Sequence, residues 1–349
     1  MSSSTRVPMQ AVAWLGLDVS KATFHAAVCP QAGVRSHRDL AVKVFPRSAE
    51  GVQQVLQWAR EQVPAGTALR VVMESTGSYS QDLFRWLVDA DGYLAPAILN
   101  PHAVLYFAKS LAERTKTDRV DARVLARYGA ERGPAPFEPP EGVRAIMRAL
   151  LRHREALVSQ RSAVKEQRSH GLALDPRTVT KSRDRVIKLL DAEIEAIDAE
   201  LGELVANDAP IARDVQLLSS IHGIGLLTAC ILLAELGDLR RFRTTRQLTS
   251  FAGLAPRLHE SGKSVKGRSR LSKAGSTHVR RVLYTSAMVS VRGESNLSSF
   301  YQRLLANGKA PKAALIAVAR KLLTIARSIL VSGKIYDKLH AHAGGTVAA

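Results

Sequence analysis

Cysteine is nearly absent: Cys29 and Cys230 are the two in a chain of 349 residues. They support neither a disulfide framework nor a cysteine-based zinc site, and both read as small buried apolar side chains. No apolar run approaches the roughly 20 residues a membrane helix requires, which argues against a spanning segment. The opening stretch MSSSTRVPMQ lacks the apolar core of a signal peptide, so the expected location is the cytoplasm. Ten histidines form no HExxH or paired metal spacing, and zinc is not expected. Gly262-Lys263-Ser264 fails as a P-loop, because its required first glycine falls at position 257, an arginine. Acid is in deficit as well, with 31 Asp and Glu against 50 Lys and Arg and a formal net charge of +19. That balance points to a polyanionic partner, nucleic acid first, although a merely soluble basic protein has the same signature.

At 349 residues, 46% of them hydrophobic, the chain is long enough for two or three domains with cores of their own. Residues 11–19 and 22–29 read as two strands around Ser20-Lys21, followed by a strand at 40–45 and an amphipathic helix from 48–50 to about Gln62. Val52, Val55, Leu56 and Trp58 supply that helix's apolar face. A buried-type strand at 69–74, a helix at 80–90, a strand at 93–99 and a helix at about 118–131 follow. This order is what a mixed α/β sheet flanked by helices gives, and it is the order of the ribonuclease H-like fold. GPAPFEPPEG, residues 133–142, reads as a linker. Beyond it, Ile146, Leu150, Leu157 and Val164 keep a heptad-like spacing, and the helix breaks at 170–177. Leu190, Ile194, Ile197, Leu201 and Leu204 then alternate steps of four and three, as an antiparallel hairpin or a dimerising coiled coil requires. The expected division is a disordered segment 1–10, an α/β domain 11–132, a linker with coiled-coil helices 133–210, a mostly helical domain 211–335 and a tail 336–349.

Four acids fall at positions suited to chemistry. Asp18 ends the first strand, Glu74 ends the fourth, and Asp118 and Asp121 stand three apart on one helix. Residues at i and i+3 share a helix face with Cβ atoms roughly 5–6 Å apart, so both carboxylates can reach one point. Hard oxygen ligands suit Mg²⁺ or Mn²⁺, and a pair of such ions can clamp the attacking and leaving oxygens of a phosphodiester. Each acid also has a plainer reading: Asp118 as a helix cap, Asp121 as a partner of Arg123 or Arg114. Asp18 resists one, because a carboxylate after AWLGL on a core strand must be satisfied by a cation, a metal or hydrogen bonds. MESTGSY offers hydroxyls that either touch phosphate or cap the next helix.

Gly223-Ile224-Gly225 lies between two apolar helical stretches, where exposed N–H groups at a helix start can hold a phosphate; a tight interhelical turn is the alternative. Residues 257–281 concentrate the charge: Arg257, Lys263, Lys266, Arg268, Arg270, Lys273, Arg280 and Arg281 against one acid, Glu260. Such density can neutralise several phosphates. A serine in this setting can attack a phosphodiester, but chemistry alone does not choose among Ser261, Ser264, Ser269, Ser272 and Ser276.

GLDVSK, MESTGSY, NPHAV, KTDRVDARVLA, IHGIG, LTSFAGLAPRLHESGKSVKGRSRLSKAGS and HVRRVLY, in this order, resemble the insertion-sequence transposases of the IS110 type, the bridge-RNA-guided recombinases. The likeness runs from about residue 13 to LLANGKAPK. It implies a RuvC-like domain with an Asp-Glu-Asp-Asp site matching Asp18, Glu74, Asp118 and Asp121, a coiled-coil linker, and a C-terminal domain whose nucleophilic serine falls on Ser261. It further implies Mg²⁺, target and donor DNA, a noncoding bridge RNA, no membrane partner, a nucleoid-associated bacterial setting, and dimers that assemble into tetramers. In such an assembly, a serine from one subunit completes the acidic site of another. Two other readings keep parts of this: a metal-dependent resolvase-like nuclease using water, and a non-catalytic nucleic-acid scaffold.

Overall fold

Strand β1 (Val12–Val19) turns into β2 (Thr23–Cys29) through Ser20, whose N–H and hydroxyl both donate to the Thr23 carbonyl, at 2.9 and 2.7 Å. Then come β3 (Val42–Pro46), α1 (Ala49–Glu61), β4 (Ala68–Glu74), α2 (Ser78–Ala90), β5 (Ala97–Leu99), α3 (Pro101–Ser110) and α4 (Asp118–Arg132). The computed structural model describes residues 11–30, 36–113, 115, 117–171, 175–257, 260–261, 265–266, 270–272, 275–293 and 295–336; residues 257, 260, 261, 265, 266 and 270 are described by their backbone alone. The chain divides into two compact units, Met1–Glu138 and Pro139–Ala349.

In the first unit the sheet order is β3-β2-β1-β4-β5, with β1, β2 and β3 antiparallel in turn and β4 and β5 parallel to β1. Strand β1 is central, which is why its sequence is apolar almost throughout. Ala13, Leu15, Leu17 and Val19 join the buried cluster under α1 and α2, together with Val52, Val55, Leu56, Leu83 and Leu87. The alternate residues Trp14 and Gly16 face α4. A Cβ on Gly16 would stand 2.2 Å from the Ala126 nitrogen and 2.4 Å from the Ala122 oxygen, and one on Gly129 would stand 2.6 Å from the Trp14 ring. Two bare α-carbons therefore let α4 lie directly on the sheet.

Two local expectations need correction. The strand expected at 93–99 is confined to β5, because Gly92–Leu94 forms a 3-10 turn, Ala95 adopts φ +45° and Pro96 has no N–H to give a ladder. Helix α3 was not expected. Its start was legible, since the Asn100 side chain accepts from the His102 N–H at 2.9 Å and Pro101 occupies the first helical turn.

The second unit opens with α5 (Gly142–Ser169) and α6 (Arg177–Ala206). Arg154 pairs with Asp198, Arg161 with Asp191 and Arg168 with Asp184, rising by seven along one helix while falling by seven along the other. The two helices thus form an antiparallel hairpin within one chain, its seam filled by Leu157, Leu190, Ile194 and Ile197. The heptad phase differs at the first turn: Ile146 is 48% exposed, whereas Met147 and Leu151 are buried. Helices α7 (Ala209–Ser219), α8 (Leu226–Leu236), α9 (Thr245–Phe251), α10 (Thr277–Ser290), α11 (Asn296–Ala306) and α12 (Pro311–Ser332) build the second core, to which α12 contributes Val318, Ala319, Leu322, Leu323 and Ala326. Between α9 and α10 the basic segment carries two nested antiparallel pairs, β6 (Pro256–Arg257) with β9 (Arg270–Leu271) and β7 (Glu260–Ser261) with β8 (Val265–Lys266). Among the described residues no helix is long and apolar enough to cross a membrane.

Candidate acidic site and basic segment

The parallel register of β1 and β4 runs from Val12 opposite Ala68 to Leu17 opposite Met73, so Asp18 and Glu74 follow as the next pair at the carboxyl ends of adjacent strands. Strand alternation puts Asp18 on the face of Trp14 and Gly16, and Glu74 on the face of Val72. This is the face α4 covers, since Val72 packs with Val124 and Leu125. Gly129 lies on Trp14, and Ala126 and Ala122 lie on Gly16, so α4 descends β1 toward its own first turn at the Asp18 end. That first turn carries Asp118 and Asp121. The four predicted acids therefore come to one end and one face of a single sheet.

Helix α4 is capped by Thr117, whose side chain accepts from the Val120 N–H at 3.4 Å, so Asp118 is not the cap. The plainer partner for Asp121 also fails in part: the Arg123 Nε donates to the Leu40 carbonyl at 2.8 Å. Arg114 lies outside the described residues. Asp18, Glu74 and Asp121 each make polar interactions of their own. Among the described residues, no three of His, Cys, Asp or Glu are drawn together closely enough to share a metal ion.

His25 belongs to this site and was missed in the sequence. It stands opposite Asp18 in the β1–β2 register, with its Nδ1 3.8 Å from an Asp118 carboxylate oxygen. That Nδ1 is buried and has no hydrogen-bond partner among the described residues, a costly state for a polar atom. Thr76 Oγ1, two residues past Glu74, is buried and unpartnered in the same sense. A histidine in the run ATFHAAVC gives no signal of its own; the cross-strand partner supplies it.

In the second unit the expectations divide. Ser261 is on β7, opposite Val265 in the β7–β8 pair. Lys263, Arg268 and Lys273 lie outside the described residues, as do the side chains of Ser261, Arg257, Lys266 and Arg270. Arg280 is turned inward, donating to the Gly275 carbonyl and, at 3.0 Å, to the Thr277 hydroxyl, and burial lowers its guanidinium pKa from the ordinary value. Arg281 pairs with Glu155, which also holds His278. Both arginines were expected to meet phosphate; each makes these contacts within the chain, and the Arg281 side chain is 65% exposed. Gly223 has φ +91°, and a Cβ there would stand 2.2 Å from the Ser290 hydroxyl, so packing on α10 explains this glycine. Gly225 caps α8 in the open, with nothing within 4 Å of a built Cβ. Burial pushes the Glu235 carboxyl up, but Arg148 and Arg152 outweigh it and hold the group below its ordinary pKa.

A mixed sheet with carboxylates gathered at its strand ends, followed by a basic helical unit, defines a class of protein that acts on nucleic acid. Comparison narrows the class. Residues 215–302 match the family model described as "Transposase IS116/IS110/IS902 family", and residues 15–175 match a second, DEDD-type IS110 model described as "Transposase". The chain is 31% identical over 327 residues to the "Pilin gene-inverting protein" of Moraxella bovis, covering 93% of this chain and 98% of the relative. It is 26% identical over 361 residues to the "Transposase for insertion sequence element IS1111A" of Coxiella burnetii, covering 95% and 93%. The "Insertion element IS110 uncharacterized 43.6 kDa protein" of Streptomyces coelicolor is 30% identical over 172 residues, 47% of this chain and 42% of the relative. The chain belongs to the IS110 family of transposases, enzymes that cleave and recombine DNA.

Proposed function

We propose that this protein excises and inserts an insertion sequence by RNA-guided DNA strand exchange, with Ser261 as nucleophile and Asp18, Glu74, Asp118 and Asp121 as the acidic centre. The observation that carries the reading is the gathering of those four carboxylates on one face at one end of the sheet. The first unit then contains a RuvC-like, ribonuclease H-like domain of residues 11–132. Residues 133–210 form the linker and coiled-coil helices, and residues 211–335 the transposase domain.

In the cleavage step a bond forms between Ser261 Oγ and phosphorus, the bond from phosphorus to the leaving deoxyribose oxygen breaks, and the serine proton ends on that oxygen. The attack of another strand's hydroxyl on the phosphoserine reverses these changes and releases the serine. Hard carboxylate oxygens fit a divalent cation, Mg²⁺ or Mn²⁺, and the buried His25 Nδ1, without a hydrogen-bond partner among the described residues, lies 3.8 Å from the Asp118 carboxylate. When bound, such an ion supplies electrostatic stabilisation of the transferring phosphate. Asp18, Glu74, Asp118 and Asp121, which share one face at one end of the sheet, are the residues that would hold it. Ser261 belongs to the other unit, which accords with a dimer or tetramer in which one subunit's serine serves another's acids. A relative named for inverting a gene favours exchange over simple hydrolysis, because inversion rejoins what it cuts.

Ser261→Ala is expected to abolish covalent protein–DNA adducts and recombination while leaving nucleic-acid binding intact. Adducts are read by denaturing electrophoresis of labelled DNA. Undiminished cleavage without any adduct would instead favour water as nucleophile, the resolvase-like alternative.

A further inference from the structure

A groove of about 1430 Å³ opens in the second unit between α9 and α12, with Phe300 of α11 at its side. Its lining includes Arg241, Arg246, Arg320 and Lys321 and, among the described residues, no carboxylate. Several arginines of this unit are held by internal acceptors. Arg240 pairs with Asp214, Arg281 with Glu155, and Arg327 donates to the Phe242 and Arg243 carbonyls at 2.9 and 3.2 Å. The groove differs. Arg320 Nε is buried without a hydrogen-bond partner among the described residues, and Arg246 and Lys321 make no ion pair among them. An array of cations without counter-charge calls for an anion.

Aromatic rings are interleaved with these cations. Phe251 is 49% exposed, an unusual position for a phenyl ring, and stands against Phe242 with ring centroids 5.3 Å apart. The Arg241 guanidinium lies 4.8 Å from the Phe242 ring centre and 5.2 Å from that of Phe251, and the Lys321 ammonium lies 4.7 Å from that of Phe300. Cations that track a backbone beside rings that accept base faces are the recognition chemistry of an unpaired nucleic-acid strand. A duplex has its base faces already stacked and gives Phe251 nothing to meet.

We infer that the groove between α9 and α12 binds an unpaired DNA strand, its phosphates on Arg246, Arg320 and Lys321 and a base on Phe251. The groove reaches Ala255 and Pro256, and Pro256 is the first residue of β6, which leads into the Glu260–Ser261 strand. A strand held there is presented to the segment that bears the proposed nucleophile. This inference rests on reading the chain as a DNA-cleaving enzyme, and it adds the place where the opened strand is gripped.

The test uses the full chain carrying Ser261→Ala, so that cleavage plays no part. Fluorescence anisotropy is measured with fluorescein-labelled oligothymidylate of about 15 nucleotides, with a duplex of the same length and with oligouridylate. Phe251→Leu, which keeps apolar bulk but removes the ring face, and Arg246→Gln, an exposed change without a folding cost, are each expected to weaken oligothymidylate binding about tenfold. Duplex affinity stays unchanged. Unaltered oligothymidylate binding in both variants overturns the site, and an equal loss on duplex reduces it to general surface charge. A loss confined to oligouridylate overturns the assignment to DNA. None of these outcomes touches the adduct test of Ser261, so the two readings fail separately.

Discussion

At the scale of single residues, His25 is the most informative side chain outside the four acids. Its buried ring nitrogen lies 3.8 Å from the Asp118 carboxylate with no hydrogen-bond partner among the described residues, a costly state for a polar atom. Groups beside a metal's ligands that bond to them or to the ion typically govern metal affinity by about 10- to 100-fold. His25→Ala is therefore expected to weaken Mn²⁺ binding by about that factor, read from the free-ion electron paramagnetic resonance signal during titration. Wild-type Mn²⁺ affinity in the variant would remove His25 from the site. The arginines teach the converse lesson. Arg280 and Arg281 stand in the most basic segment of the chain, yet one caps its own loop and the other is neutralised by Glu155. Local charge density does not tell which cations remain for a ligand.

At the scale of elements, the site depends on how closely α4 approaches β1. Gly16 sets that distance, because a methyl group there would overlap backbone atoms of Ala122 and Ala126 rather than a movable side chain. Overpacking of this kind costs about 1–3 kcal/mol, and a clash with backbone belongs at the upper end. Gly16→Ala is expected to destabilise the first unit by about 3 kcal/mol in urea unfolding and to displace Asp118 and Asp121 from Asp18, with loss of cleavage. Gly92→Ala in the same unit, where a Cβ meets nothing within 4 Å, serves as the neutral control. Equal stability of the two variants would show that α4 does not rest on the sheet as described. The α5–α6 hairpin illustrates a different dependence. Its three Arg–Asp pairs, spaced by seven residues on each helix, set an antiparallel register that the apolar seam alone shares with a dimerising coiled coil.

At the scale of the whole molecule, a net charge of +19 sets how the protein meets DNA. Of the eight cations counted in residues 257–281, six remain once Arg280 and Arg281 are assigned to internal partners. Six phosphate contacts correspond to a fall in affinity of about 10³-fold between roughly 50 and 200 mM salt. Filter binding or anisotropy across that range checks the expectation. A nearly flat salt dependence would mean that the basic segment does not carry the DNA.

Much of this was legible in sequence because it is local. The apolar run of β1, the helix opening at residues 48–50, the three-residue step from Asp118 to Asp121 and the seam of α6 are patterns within one segment, and each has its counterpart in the fold. What tertiary structure alone decided is pairing between distant segments. The β1–β4 register sets Asp18 beside Glu74, the β1–β2 register brings His25 to the same spot, and the packing of α4 through Gly16 brings its first turn over all three. The groove beside Phe251 also arises only when α9, α11 and α12 are assembled. A repeat of two or of three and a half residues is written along the chain, whereas a contact across fifty residues depends on which faces are left to bury once every element has formed.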